Sequence, residues 1–367
     1  MKTVVVTDGK YRASLAAVRA LGAAGYPVVV TQTREDSPVV PASFRSRYTA
    51  QGCWIDGSSK DEGYVQRLLR LLETLEHPVL FCTGADTLNQ VSRRRAAFAP
   101  LADFLIAAPE VLDQLNDKES VHRRCLELGI PVPRAYDAPP ETYPVVIKPH
   151  CGEKFGLKAR DRYVIAQDAA EFQRNYQAMA QYGPPIVQEK VEGAGEGADL
   201  LLGPEGELLC ALCHRRLREY PVTGGPSTCC ISFYDEEMIR QSHALLKSFG
   251  FVGMAMVEWK GRRVLEVNPR VWGSFPLTAC CGSPYTLRYV QAAAGEALPY
   301  TPQDFQTGVK MRFVFNDGAA TLGYLRRGDW KRALGGMADF FRVREALDQN
   351  DDRGAYRAYL KNSLRKR

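Results

Sequence analysis

Residues 262–274 read RRVLEVNPRVWGS. Glu266, Asn268 and Arg270 alternate there with Val267 and Pro269. In a strand, successive side chains point to opposite faces, so two oxygen-bearing groups and a guanidinium line up on one side at roughly 7 Å steps. A solvated polar face gives the same alternation, but Pro269 lacks the N–H a ladder needs. The row therefore belongs at a strand end, where loops open and a ligand can reach it.

Upstream, VGMAMVEWK carries Glu258 on a second strand, joined to the first by a tight turn at Lys260-Gly261. A two-residue turn puts Glu258 on the face away from Glu266. A three-residue loop over Lys260 to Arg262 would bring it diagonally beside the Glu266 row, so the loop length decides whether Glu258 joins that face. Two carboxylates and an amide oxygen suit magnesium or manganese, hard ions that keep waters or phosphate oxygens in their remaining positions. Interleaved His or Cys would have indicated zinc. A half-filled oxygen site leaves the substrate to supply the rest, and nucleoside triphosphates commonly do so.

Working outward, MKTVVVTDG reads as a buried strand, YRASLAAVRALGAAG as a helix stopped at Gly25, and YPVVVTQ as a second strand. This is the start of a βαβ unit, hence a parallel sheet with a ligand-facing loop at its strand ends. TDGKYRAS lacks the GxGxxG fingerprint, so no dinucleotide is expected. HPVLFCTGADT repeats the strand pattern, and a short strand is expected at DFLIAAP, with the first lobe ending near Pro109. NDKESVHRRCLELGIPVPRAY is a helix with an Asn cap and a Gly129 stop. YPVVIKPH is a strand with Lys148 at its end, followed by an aperiodic loop. Lys118 at a helix start and Lys148 at a strand end stand where a phosphate clamp would, and no GxxxxGK[ST] string is present.

The order NDK…LGIPVP, VVIKP, a glycine-containing loop, VQEKVEG, VEW and LEVNPR resembles the ATP-grasp superfamily. The strings RRLREYP, VTGG and VNPRVWGS are most similar to its carboligase and carbamoyl-phosphate-synthase-like branch. The resemblance implies an α/β Rossmann-like N-terminal domain (1–109), then a two-lobed α+β ATP-grasp fold. Its small lobe would span 110–190, its large lobe 191–300, and a C-terminal extension (301–367) would pack on the large lobe. It implies ATP held by Lys118 and Lys148, with the loop from His150 to Lys158 closing over the phosphates. Gln188, Glu189, Lys190 and Val191 would face the adenine at the hinge. Glu196, chosen over Asp199, would hold the ribose. Glu258, Glu266 and Asn268 would bind two Mg2+ (or Mn2+) ions, although the hairpin is shorter than the family leads one to expect. Arg270 would neutralise the transferring phosphoryl group, with Lys148 as the other catalytic group.

Arg215, Arg216 and Arg218 in HRRLREYP, with Ser227 in the nearby loop from Thr223 and with Arg270, are the expected contacts to a carboxylate substrate, because arginine forks pair bidentately with carboxylates. The implied activity is an ATP-dependent carboxylate-amine ligase, working through an acyl phosphate on small-molecule acids and amines such as amino acids. The rivals are a carboxylase or carbamoyl-phosphate-type enzyme and a nucleotide-binding regulator.

Composition narrows the partners. With 45% hydrophobic and 25% charged residues the 367-residue chain is globular, and its +6 charge is spread out and favours a small anion over nucleic acid. No run is long enough to span a bilayer, so no membrane partner is expected. MKTVVVTDG turns polar too early for a secretory signal, so a cytoplasmic location is expected, where the ten cysteines are thiols. Cys210, Cys213 and His214 match a haem-attachment string, but core cysteines on a strand are the expected reading. A homodimer is the default assembly.

Overall fold

The computed structural model describes residues 1–137, 139–149, 155, 157, 161 and 163–365. The valine-rich runs form a parallel sheet of β1 (Val4–Val6), β2 (Val28–Thr33), β3 (Gln51–Ile55) and β4 (Val79–Phe81), in the order β3-β2-β1-β4. Val4, Val5, Val6, Val28 and Val30 are fully buried, as a sheet covered on both faces requires. The order reverses between β1 and β4, the crevice where such sheets bind ligands. Asp8 closes that crevice: its carboxylate accepts from Thr7 Oγ1 (2.5 Å), Thr87 Oγ1 (3.0 Å) and the Gly84 N–H (3.1 Å). The expected strand at DFLIAAP is only an isolated bridge between Val79 and Asp103.

The small antiparallel sheet has β5 (Val145–Lys148) between β6 (Val164–Ala166) and β7 (Ile186–Glu189). With helix Ala169–Ala180 it encloses its own core of Val145, Ile147, Ala166, Phe172, Met179 and Val187. Ahead of it, helix Lys118–Glu127 is capped by Asp117, whose side chain accepts from the N–H groups of Glu119 and Ser120. The expected cap, Asn116, instead ends the preceding helix, Pro109–Asn116.

The large sheet contains β8 (Gly195–Leu202), β9 (Leu208–Glu219), β10 (Ser227–Phe233), β11 (Gly253–Lys260), β12 (Arg263–Asn268) and β13 (Lys310–Arg312), in the order β12-β11-β8-β9-β10-β13. All its pairings are antiparallel. Helix Glu236–Ser248 covers one face, where Trp259 Nε1 donates to Ser242 Oγ at 3.0 Å. On the other face Leu209, Cys210, Met254 and Met256 share a core with Val4, Val6 and Val18 of the first domain. Tyr289 pins this junction, its hydroxyl donating to Leu80 O (3.1 Å) and accepting from Leu105 N (3.3 Å). The first domain and the large sheet therefore pack as one block, while the small sheet stands on a separate core.

The C-terminal residues contribute β13 and helices Val314–Arg326 and Trp330–Arg342, which pack near β9 and β10. Helix Arg353–Arg365 reaches back to the first domain, where Arg19 pairs with the buried Asp352 at 2.8 Å. Arg218, 3% exposed, is clamped by Asp317 (Nε–Oδ1 2.8 Å, Nη2–Oδ2 2.9 Å) and Asp339 (Nη1–Oδ2 3.0 Å). Arg218→Ala leaves Asp317 to Arg312 and Asp339 to Lys310 and should cost about 1–3 kcal/mol. Urea unfolding would read this as a lowered midpoint, and a midpoint unchanged from wild type would contradict the clamp.

Candidate functional site

The strand ends at Asn268, as Pro269 requires, and the open end of the β11–β12 hairpin gathers charge from several elements. Lys118, the first residue of its helix, forms an ion pair with Glu266. Lys148, at the end of β5, is 9% exposed. Burial and the neighbouring Lys118 charge lower its pKa to about 8, against the opposing pull of Glu266 and Glu258. Burial works to raise Glu266, yet Lys118, Lys148 and Arg270 together bring it down to about 2.

The hairpin solves its parity problem in an unexpected way. Lys260 pairs with Arg263 across Gly261-Arg262, whose φ angles of 51° and 62° make a primed two-residue turn. Such a turn alone would put Glu258 on the wrong face. Leu265 is an extra, bulged residue: Trp259 pairs with Val264, but Glu258 pairs with Glu266. Neither loop length alone describes the hairpin: a two-residue turn plus a bulge sets the two carboxylates directly opposite rather than diagonally. Arg216 on β9 reaches Glu258 Oε1 with Nη2 (3.3 Å) and Glu219 Oε2 with Nη1 (3.4 Å). Arg270 lies beyond the strand, so a turn rather than the pleat places it. Its N–H donates to Asn268 O (2.8 Å), and Nη2 donates to Asn268 Oδ1 (3.2 Å).

Glu258, Glu266 and Asn268 form an oxygen-only donor set, which fits Mg2+ or Mn2+. Among the described residues no group of three or more His, Cys, Asp or Glu side chains could hold a metal ion by itself.

Two expected residues face the other way. Glu196 pairs with Trp259 and with Arg215 in the sheet register. Directly paired residues share a face, so both lie on the side of helix Glu236–Ser248. There Arg215 Nε meets Glu196 Oε1 at 2.7 Å and its guanidinium covers the Phe233 ring. Neither joins the carboxylate pair. Asp199, the alternative to Glu196, is fully buried against His214. Ser227 opens β10 opposite Glu219, and its hydroxyl donates to Cys229 O at 3.2 Å.

The segment between the lobes touches the hairpin tip. Gln188 and Val191 are buried, Glu189 pairs with Arg263 at 3.1 Å, and Lys190 pairs with Glu192. A Cβ on Gly261 would sit 2.7 Å from Glu192 O and 2.8 Å from Val191 Cγ1, so glycine allows the approach. Most of the loop from His150 to Lys158 lies outside the described residues.

A buried chain of polar groups was not foreseen. His214 meets Asp199 Oδ2 through Nδ1 (2.8 Å) and Ser274 Oγ through Nε2 (3.1 Å). This ties the segment carrying Arg270 to the sheet floor. Gly197, paired with both His214 and Glu258, has no Cβ to collide with the imidazole. That glycine was the legible signal, whereas LLCALCHRR drew attention to its cysteines. Cys210, Cys213, Cys229 and Cys230 are buried free thiols.

Residues 115–274 match the family model described as ATP-grasp domain. The fold is similar to the biotin carboxylase domain of Hydrogenobacter thermophilus 2-oxoglutarate carboxylase, solved with MgADP, ADP and bicarbonate. That match has a TM-score of 0.64 at 15% identity and covers 84% of this chain and 73% of that one. Campylobacter jejuni biotin carboxylase gives 0.63 at 12% identity over 84% and 74%. N5-carboxyaminoimidazole ribonucleotide synthetase from Thermotoga maritima gives 0.57 at 16% identity over 83% and 78%. No curated protein sequence matches significantly.

Lys148 releases its proton more readily in the folded than in the unfolded protein. Its unfavourable burial is therefore fully felt below about pH 8 and relieved as pH rises toward 10.5. Glu266→Gln removes its main attractive partner and leaves Lys118, so Lys148 should titrate below pH 8 in the variant. An NMR titration of methylated lysines checks this, and an upward move would contradict the geometry.

Proposed function

We propose that this chain, which carries an ATP-grasp domain over residues 115–274, is an ATP-dependent carboxylate-amine ligase releasing ADP and phosphate. The observation that carries the reading is the paired Glu258 and Glu266, set among Lys118, Lys148 and Arg216. So many opposite charges at the junction of two lobes suit a ligand that brings both anionic oxygens and divalent cations.

In this reading Lys118 and Lys148 bind phosphate oxygens, and Gln188 to Val191 form the adenine edge of the cleft. Glu258, Glu266 and Asn268 hold Mg2+ or Mn2+, which when bound shields the phosphates and polarises their oxygens. Lys118 exchanges Glu266 for a phosphate as the nucleotide enters. Arg270, with its guanidinium on Asn268 Oδ1, stabilises charge as the phosphoryl group moves. A carboxylate oxygen attacks the γ-phosphorus, the bond to the β,γ-bridging oxygen breaks, and ADP leaves. The amine then adds to the acyl carbon, the C–O bond breaks, phosphate leaves, and the amine proton passes to solvent. Arg216, which already bridges Glu258 and Glu219, is the candidate fork for the acid; the opposite-facing Arg215 is set aside. Proximity and charge stabilisation supply the rate.

A carboxylase reading differs in using bicarbonate as the acid. ADP release measured with amino acid pairs, with bicarbonate, and with neither separates the two: amine-dependent release supports the ligase, and bicarbonate-dependent release supports the rival. Arg270→Ala should lower kcat by about 10²–10³-fold. Glu266→Gln should abolish turnover while circular dichroism stays native. Undiminished ADP release in Glu266→Gln would end this assignment of the site.

A further inference from the structure

Helices Val314–Arg326 and Trp330–Arg342 bury one side against each other and the large sheet, and leave the other side apolar. Trp330, Leu334, Met337 and Phe341 recur at i, i+4, i+7 and i+11, a single stripe roughly 16 Å long. Leu322 and Leu325 are exposed on the neighbouring helix. Phe341 is 88% exposed, Trp330 61% and Phe340 60%. Seven of the fifteen exposed large hydrophobic side chains among the described residues fall within these two helices and their connection.

The exposed charges of the same segment are of one sign, although Lys331 and Arg332 line a cavity along β9 with Arg215 and Arg218 rather than flanking the stripe. Between positions 314 and 344 the exposed charged residues are Arg326, Arg327, Lys331, Arg332, Arg342 and Arg344. The acids of the same segment are withdrawn. Asp317 and Asp339 are buried under Arg218, and Asp329 is half-buried as the helix cap, where it also pairs with Arg332 at 3.2 Å. A second copy of the chain docking here symmetrically would set arginines against arginines. An anionic surface with an apolar layer beneath it answers both features: basic groups meet its charges while projecting Trp and Phe rings enter its hydrocarbon boundary.

We propose that this helix pair docks on an anionic phospholipid surface, lying in the headgroup plane. Among the described residues no helix is long and apolar enough to cross a membrane, so the docking is peripheral. It revises the sequence expectation of no membrane partner, and it stands independently of the ligase reading, since none of its residues belongs to the carboxylate site.

The test uses the full chain with vesicles of phosphatidylcholine alone and of phosphatidylcholine mixed with phosphatidylglycerol. Cosedimentation is expected only with the mixed vesicles, with a blue shift of Trp330 emission and loss of binding in high salt. Phe341→Ser and the pair Arg326→Glu with Arg327→Glu should each weaken partitioning by about tenfold or more. Thermal melts that match wild type would show that these variants fold. Failure to bind mixed vesicles overturns the proposal and leaves the face to a protein partner. Equal binding by wild type and the variants overturns it as well, as does a dimer that Leu334→Asp dissociates.

Discussion

Two carboxylates placed opposite each other on neighbouring strands repel, and an isolated sheet would not keep them there. Here the bulge at Leu265 imposes the pairing of Glu258 with Glu266, and Arg216 and Lys118 make it tolerable. Each cation comes from a different part of the fold. Lys118 arrives with a helix that precedes the small sheet, Lys148 with the small sheet, Arg216 with the large sheet and Arg270 with the turn after it. The acidic pair thus acts as the charge around which the elements are arranged.

The same arrangement explains how the site can exchange partners. Lys118 and Glu266 neutralise one another, and Lys148 carries its charge against the resistance of burial and a second lysine. In the proposed reading, a ligand bringing phosphate and a divalent cation would satisfy both signs at once, and its binding would replace internal ion pairs instead of leaving a buried charge alone. The small lobe has its own core, whereas the first domain and the large sheet share theirs. Only Lys148 and the segment after it belong to the separately packed lobe, which places the division between bodies through the site itself.

Elsewhere the fold keeps charge away from that centre. Arg218 neutralises Asp317 and Asp339, and Arg19 neutralises Asp352, so acids on the C-terminal elements are consumed in attaching them to the sheet and to the first domain. What those elements show outward is basic and apolar. Asp199, His214 and Ser274 play a comparable internal part beneath the Arg270 segment, a polar tie in an otherwise apolar floor.

The sequence by itself determined much of this. Valine runs with a glycine-stopped helix specified the parallel sheet. Pro269 specified where the polar row ends, and the alternation of Glu266 and Asn268 specified a shared face, because these follow from backbone chemistry and a two-residue period. Only the tertiary structure decided the side on which Glu258 lies, since one bulged residue reverses the parity of a turn without any mark in composition. It also decided that Glu196 and Arg215 turn toward the helix, and that Asp199 is spent on His214. Residues a few positions apart are distributed to opposite faces by strand register, and register is fixed by the packing of distant segments.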